Sequence, residues 1–194
     1  MAMIGIPEIT LGILAGGRAT RLGGCDKAWL ERDGVPQVLR VARRFAGEVS
    51  GVLVSANRPD ARYPAHGLTV VADRIPGVGP LGGLDALAAA CATPWLLTIP
   101  VDLVGVNECL VPTLIASAGN SGAFAQDDDG LQPLVALWRV EQLLRAAPQA
   151  LKAGEYAMQA LQERMDMACV RFTGVRFGNL NTPADLAAAG MATS

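Results

Sequence analysis

Apolar runs of strand length alternate along the chain with stretches whose apolar residues recur at helical spacing. Ile9 to Ala15 is a continuous apolar run ending in Gly16-Gly17, the pattern of a strand buried on both faces. Val49–Ser55, Leu68–Ala72, Trp95–Pro100, Gly122–Gln126, Leu134–Trp138 and Ala168–Phe172 read as further strands. Helices are predicted over Pro36–Phe45, Pro80–Ala92, from a cap at Asn107 through Ala118, and over Val140–Ala150 and Tyr156–Arg164 with Gly154 between them. Thr182-Pro183-Ala184-Asp185 opens a last helix, with Thr as N-cap, Pro at the first position and an acid at the third. Strands alternating with helices predict a three-layer α/β/α fold around a mostly parallel sheet. Ligands of such sheets bind beyond the carboxyl ends of the strands. Gly16-Gly17, Asn57, Asp73 and Asp102 all fall at predicted strand ends.

Composition narrows the function classes. The chain has 194 residues, which suits one domain. Charged residues make up 18%, below the usual value of roughly 25%, which argues against disorder. Net charge is -2 and no block of Lys or Arg occurs, so polymeric nucleic acid is not an expected partner. No apolar run reaches the roughly 18 residues that would span a bilayer. Met1 to Thr10 lacks a basic segment and contains Pro7 and Glu8, so no secretion leader is expected. Cys25, Cys91, Cys109 and Cys169 form no C-x-x-C pair. Reduced thiols and a cytoplasmic location are therefore expected. The one histidine, His66, lies in a polar stretch and is expected in a solvated loop. Glycine is in excess, at 22 residues, and that excess needs a use in backbone geometry.

The densest chemistry is the loop Leu14-Ala15-Gly16-Gly17-Arg18-Ala19-Thr20-Arg21-Leu22-Gly23-Gly24-Cys25-Asp26-Lys27. Glycines after a buried strand let backbone N–H groups form an anion nest. Arg21 and Lys27 supply cations for a polyphosphate, and Arg18 is a third candidate. The loop is not a P-loop, because Lys27 follows Asp26 and precedes Ala28. It also lacks the spacing of a dinucleotide fingerprint.

L-A-G-G-x-x-x-R-L-G followed by Asp26-Lys27 resembles the signature loop of nucleotidyltransferases, most closely that of the molybdenum cofactor guanylyltransferases. Five further segments follow in the family's order. They are Val54-Ser55-Ala56-Asn57-Arg58, Asp73 with Gly79-Pro80-Leu81-Gly82-Gly83, Pro100-Val101-Asp102, Gln132-Pro133-Leu134-Val135-Ala136-Leu137, and Asn179-Leu180-Asn181-Thr182-Pro183-Ala184-Asp185-Leu186. The resemblance implies a Rossmann-like fold of the nucleotide-diphospho-sugar transferase type. It implies transfer of GMP from GTP to the terminal phosphate of molybdopterin, or the molybdenum cofactor, with release of pyrophosphate.

The implied roles are chemically coherent. Leu14, Ala15, Gly16 and Gly17 would present backbone groups to guanine or its ribose, with Gly79, Pro80 and Leu81 in a second nucleotide loop. Gly16 would favour guanine, whose bulk needs a position without a side chain. Asn57 and Asp73 would read base or ribose edges. Arg21, Lys27 and Asp102 would be the catalytic residues, with Mg²⁺ held by Asp102. Asn179 and Asn181 would face the acceptor. The nucleotide half would span residues 9–105 and the acceptor half 106–194. A monomer or weak homo-oligomer, with transient contacts to cofactor-delivery proteins, is the expected assembly.

Ordinary uses compete for several of these residues. Asn57 is also a turn residue, Asp73 and Arg74 could form a surface ion pair, Asp102 could cap a turn, and Asn181 could end a strand. The chain departs from the family pattern at Val101, which stands for Cys, at Gln132, which stands for His, and at Tyr156-Ala157, which stand for a basic pair. A related transferase using CTP or a sugar 1-phosphate, and a nucleotide-binding module without turnover, are the alternative readings.

Overall fold

The computed structural model describes residues 4, 5, 8–16, 26–180 and 182–191. Its centre is β1 (Ile9–Leu14), buried at every position. On one edge β1 pairs in parallel with β4 (Gly51–Ser55), which pairs in parallel with β5 (Thr69–Val71). On the other edge it pairs in parallel with β6 (Trp95–Pro100). Beyond β6 lie β8 (Gly130–Arg139), then β7 (Gly122–Asp127) and β9 (Ala168–Arg171). Strand β8 is antiparallel to β6 and β7, whereas β7 and β9 are parallel. Every strand of this sheet except β8 therefore ends on one common edge.

Alternation along β1 divides the core. Ile9, Leu11 and Ile13 join Val38 and Phe45 of α1 (Gln37–Phe45) and Leu110 and Leu114 of α4 (Leu110–Ser117). Leu14 faces the opposite layer, with Leu81, Leu84 and Leu87 of α3 (Pro80–Ala90) and Leu143 and Ala147 of α5 (Val140–Ala153). Two glycines allow α3 to lie close to the sheet. A Cβ at Gly12 would come 2.9 Å from Leu87, and one at Gly83 would come 2.5 Å from Ser55 Oγ. Gly82 and Gly83, which close the family-like Gly79–Gly83 segment, are buried inside α3, so packing accounts for them.

Several elements differ from the sequence expectation. A hairpin of β2 (Glu31–Arg32) and β3 (Val35–Pro36) precedes α1. Its turn is Asp33-Gly34, both with positive φ, 54° and 70°, as a tight hairpin turn requires. A short helix α2 (Arg62–Ala65) ends at His66, which is exposed. Asn107 makes a turn that accepts from Cys109 N rather than capping α4 directly. Helix α6 (Met158–Arg164) starts later than expected, leaving Tyr156 outside it and exposed. The final helix α7 (Pro183–Ala188) has the capping box that its sequence predicts: Asp185 N donates to Thr182 Oγ1, and Thr182 N donates to Asp185 Oδ2. No helix among the described residues is long and apolar enough to cross a membrane.

The β7–β8 turn is built around Asp127, whose residue is 1% exposed. Its Oδ1 accepts from Asp129 N, Gly130 N and Gln132 Nε2, and its Oδ2 accepts from Phe177 N at 2.7 Å. Burial opposes ionisation, but these four donors outweigh it and hold the carboxyl below its usual range. The residues after Gln132 leave the β7 ladder at a register shift. That break accommodates Pro133, whose carbonyl accepts from Gln162 Nε2 at 2.8 Å.

Stability measurements test both the glycine packing and the Asp127 turn. Gly83→Ala should lower unfolding free energy by about 1–3 kcal/mol through overpacking, measured by urea denaturation. Gly119→Ala, where an added Cβ meets nothing within 4 Å, serves as the neutral control. A carboxyl with a lowered folded pKa stabilises above its unfolded value, near 3.9, and that stability is lost as pH falls through the folded value. The stability gap between wild type and Asp127→Ala should therefore be full at pH 7 and shrink as pH falls below about 3.9. A gap that is constant with pH would show that the carboxylate charge is not involved.

Candidate active site

The site is built where the strand order reverses direction. From β1 the chain moves out to β4 and β5, then crosses back to β6 on the other side of β1. The carboxyl ends of β1 and β6 thus mark a topological switch point, and the crevice outside such a point is the usual ligand position in these sheets. Leu14 and Ala15 enter it still tied to both neighbours: Val101 N donates to Leu14 O, and Ala15 N donates to Ser55 O, each at 3.0 Å. Gly16 follows, exposed. Among the described residues, a Cβ at Gly16 would have only Asn57 Nδ2 at 3.9 Å and Ser55 O at 4.0 Å as neighbours. The described residues thus leave room for a side chain at Gly16. Gly17 and Arg21 lie outside the described residues.

Lys27 and Asp102 meet across the crevice. Lys27 Nζ donates to Asp102 Oδ2 at 2.8 Å, with side chains 20% and 22% exposed. Partial burial makes the pair stronger than a surface ion pair while leaving it open to a ligand. Lys27 begins a 3-10 turn, Lys27–Trp29, whose N-cap Asp26 accepts from Ala28 N at 3.0 Å. Trp29 anchors that turn against Tyr63, with ring centroids 4.9 Å apart. The Arg62 guanidinium lies 4.2 Å from the Trp29 ring centre and is itself gripped by Asp60.

Besides that side-chain contact, the Asp102 backbone is held in place. Its carbonyl accepts from Leu180 N at 2.9 Å, Leu103 bridges Asn179, and Val104 N donates to Gly178 O at 2.8 Å. Buried Gln37 adds a bond from Nε2 to Leu103 O at 3.2 Å. Asn179 is therefore brought beside the Asp102 loop, and Asn181 lies outside the described residues.

Asn57 and Asp73 come together on the far side of Gly16. Asn57 Nδ2 donates to Asp73 Oδ2 and Asp73 N donates to Asn57 Oδ1, both at 2.8 Å. Arg74 turns away from Asp73 to grip buried Asp85 through two bonds of 2.9 and 2.7 Å. The intervening loop bends at Gly77 and Gly79, with φ of 83° and 68°, conformations that suit glycine. It delivers Pro80 to the first turn of α3. Leu81 is fully buried, so only its backbone can serve a ligand.

The donor set limits which metals fit. Among the described residues no three His, Cys, Asp or Glu side chains gather at one point. Asp102 offers one carboxylate, with Oδ2 already on Lys27. One carboxylate suits Mg²⁺ carried by substrate phosphates and does not suit an all-protein cage.

Sequence reasoning missed Gln37 and Trp29 as supports of this site. The signal for Gln37 was a polar residue at the start of an otherwise apolar helix face. Gln132, noted as a stand-in for His, is spent on Asp127 Oδ1 at 3.2 Å.

Comparison with known proteins agrees with this geometry. The family model described as MobA-like NTP transferase domain matches residues 11–168. A molybdenum cofactor guanylyltransferase of Yersinia pseudotuberculosis is 35% identical over 183 residues, covering 92% of this chain and 93% of the relative. The fold is shared with molybdopterin-guanine dinucleotide biosynthesis protein A from Archaeoglobus fulgidus, at a TM-score of 0.72 and 18% identity over 93% of this chain and 96% of that one. It is shared too with 2-C-methyl-D-erythritol 4-phosphate cytidylyltransferase from Thermus thermophilus, at a TM-score of 0.64 and 17% identity over 92% of this chain and 96% of that one. With the crevice, the Lys27–Asp102 pair and these matches in agreement, the chain belongs to the family of MobA-like NTP transferases.

Proposed function

We propose that this nucleotidyltransferase moves GMP from GTP to the terminal phosphate of molybdopterin and releases pyrophosphate. The observation that carries the reading is the Lys27–Asp102 pair spanning the crevice at the end of the Leu14–Gly16 strand exit. The name of the Yersinia relative supports the choice of nucleotide and acceptor. Free thiols at Cys91, Cys109 and Cys169 suit a cytoplasmic setting.

An oxygen of the acceptor phosphate attacks the α-phosphorus of GTP in line. A new P–O bond forms while the bond to the β-phosphate oxygen breaks, and pyrophosphate leaves with that electron pair. The attacking oxygen is already anionic, so no side chain has to remove a proton or form a covalent intermediate. Catalysis then rests on positioning and charge stabilisation. Lys27, with Arg21 from the preceding loop, neutralises phosphate charge. Asp102 would hold Mg²⁺, which supplies further positive charge to the phosphates when bound. Leu14, Ala15 and Gly16 offer backbone groups to guanine, and Gly79, Pro80 and Leu81 offer the start of α3. Asn57 and Asp73 orient the base or ribose through the bonding capacity that they do not use on each other. Asn179 and Asn181 serve the acceptor, dividing the chain into a nucleotide half, 9–105, and an acceptor half, 106–194.

Pyrophosphate release with GTP, MgCl₂ and molybdopterin tests the reading, with CTP and sugar 1-phosphates as alternative substrates. Asp102→Ala should lower that rate about 10²–10³-fold with its thermal unfolding midpoint retained. A variant of near-normal rate would remove Asp102 from the chemistry. Gly16→Ala should fold normally, because its Cβ has space. It should also weaken GTP binding about tenfold while sparing CTP, as one badly placed methyl group costs on the order of 1–3 kcal/mol. Calorimetry reads both affinities, and tighter CTP binding by wild type would overturn the guanine assignment.

A further inference from the structure

The acidic β7–β8 turn lies outside the crevice and contributes nothing to it directly, yet its contacts lead to Asp102. Asp127 Oδ2 accepts from Phe177 N at 2.7 Å, and Asp128 N donates to Val175 O at 3.0 Å. Asp128 and Asp129 also approach Arg171 and Arg176, at 3.8 and 3.6 Å. All three aspartates of the turn therefore grip one segment, residues 171–177. The next residues are those that bracket the Asp102 loop: Gly178 O on Val104 N, Asn179 on Leu103, and Leu180 N on Asp102 O. Gly105 adds a close approach, since a Cβ there would come 3.0 Å from Arg176 O.

We infer that Asp127 is a positioning residue for the transfer reaction, a latch that sets Asp102 and Asn179 through the 177–180 segment. Its chemistry suits that task. Both carboxylate oxygens are used and the group is buried, so the latch has one geometry. Gln132 completes it by closing the turn onto Oδ1. The outer pairs Asp128–Arg171 and Asp129–Arg176 are exposed and long, and they contribute little. The latch touches neither Gly16 nor the Asn57–Asp73 pair, which lie at the ends of β1, β4 and β5. It should therefore act on turnover rather than on nucleotide affinity.

The reaction part of this inference rests on the transferase reading above, so the experiment has two independent readouts. Amide hydrogen exchange in the Asp127→Ala protein should rise at residues 102–104 and 177–180 while β1 and β4 keep their protection. Pyrophosphate release should lose about 10- to 100-fold in kcat, with the KM for GTP within about twofold of wild type. Gln132→Ala removes one of the four bonds, leaves the Phe177 contact in place, and should show both effects in the same direction but smaller. It keeps the test alive if Asp127→Ala fails to fold. Unchanged exchange at 102–104 in either folded variant would overturn the latch. A normal kcat alongside raised exchange would overturn its role in turnover. A wild-type protein that releases no pyrophosphate would instead overturn the transferase reading, and the exchange data would still judge the latch.

Discussion

The enclosure of β1 governs the rest of the architecture. Its six residues are buried on both faces and paired on both edges, and its one polar side chain, Thr10, is taken up by Thr93, so it has no surface on which to present a polar group to a ligand. Chemistry can appear only where the strand stops. The chain then leaves between two neighbours whose connections run in opposite directions, and the crevice follows from that topology. Leu14 O and Ala15 N remain engaged with Val101 and Ser55, so the exit is rigid up to Gly16.

Rigidity of the second wall comes from glycine. Helix α3 lies against β1 and β4 because Gly12 and Gly83 present no Cβ at the contact. That close approach brings the start of the helix level with the strand ends. The Arg74–Asp85 grip ties the preceding loop to the same helix. Two unrelated devices, small residues and a charge pair anchored on buried Asp85, thus hold one wall of the crevice. Replacing Arg74 would leave the Asp85 carboxylate buried and unpaired, the costly case for such pairs.

Much of the framework was legible in the sequence, because local patterns specify it. Continuous apolar runs marked the buried strands, and Thr182 with Asp185 marked a capping box that forms as written. Gly16, Asn57, Asp73 and Asp102 were placed at strand ends by the same pattern, and they fall on one edge. What could not be read depends on partners distant in the chain. Gln37 reaches Leu103, 66 residues away, and Asp127 reaches Phe177, 50 residues away. A polar residue bound for such a contact looks, in sequence, like any turn or helix-start residue. Gly82 and Gly83 show a further ambiguity, since a glycine that admits a ligand and one that admits a helix are spelled the same. The Asp33-Gly34 hairpin was written in the chain but is too short to show strand periodicity around it.

The mutual bonding of Asn57 and Asp73 has a consequence for recognition. Each already satisfies much of the other's hydrogen-bonding demand before any ligand arrives. A base engaging this pair, as proposed, would exchange bonds more than add them, so the net enthalpy of that contact would be small. In the proposed role, discrimination at this pair would shift from bond count to fit. A wrong base would be rejected because it would force the pair apart without replacing what it breaks. The pair would then be a gauge whose resting dimensions are set by the protein alone.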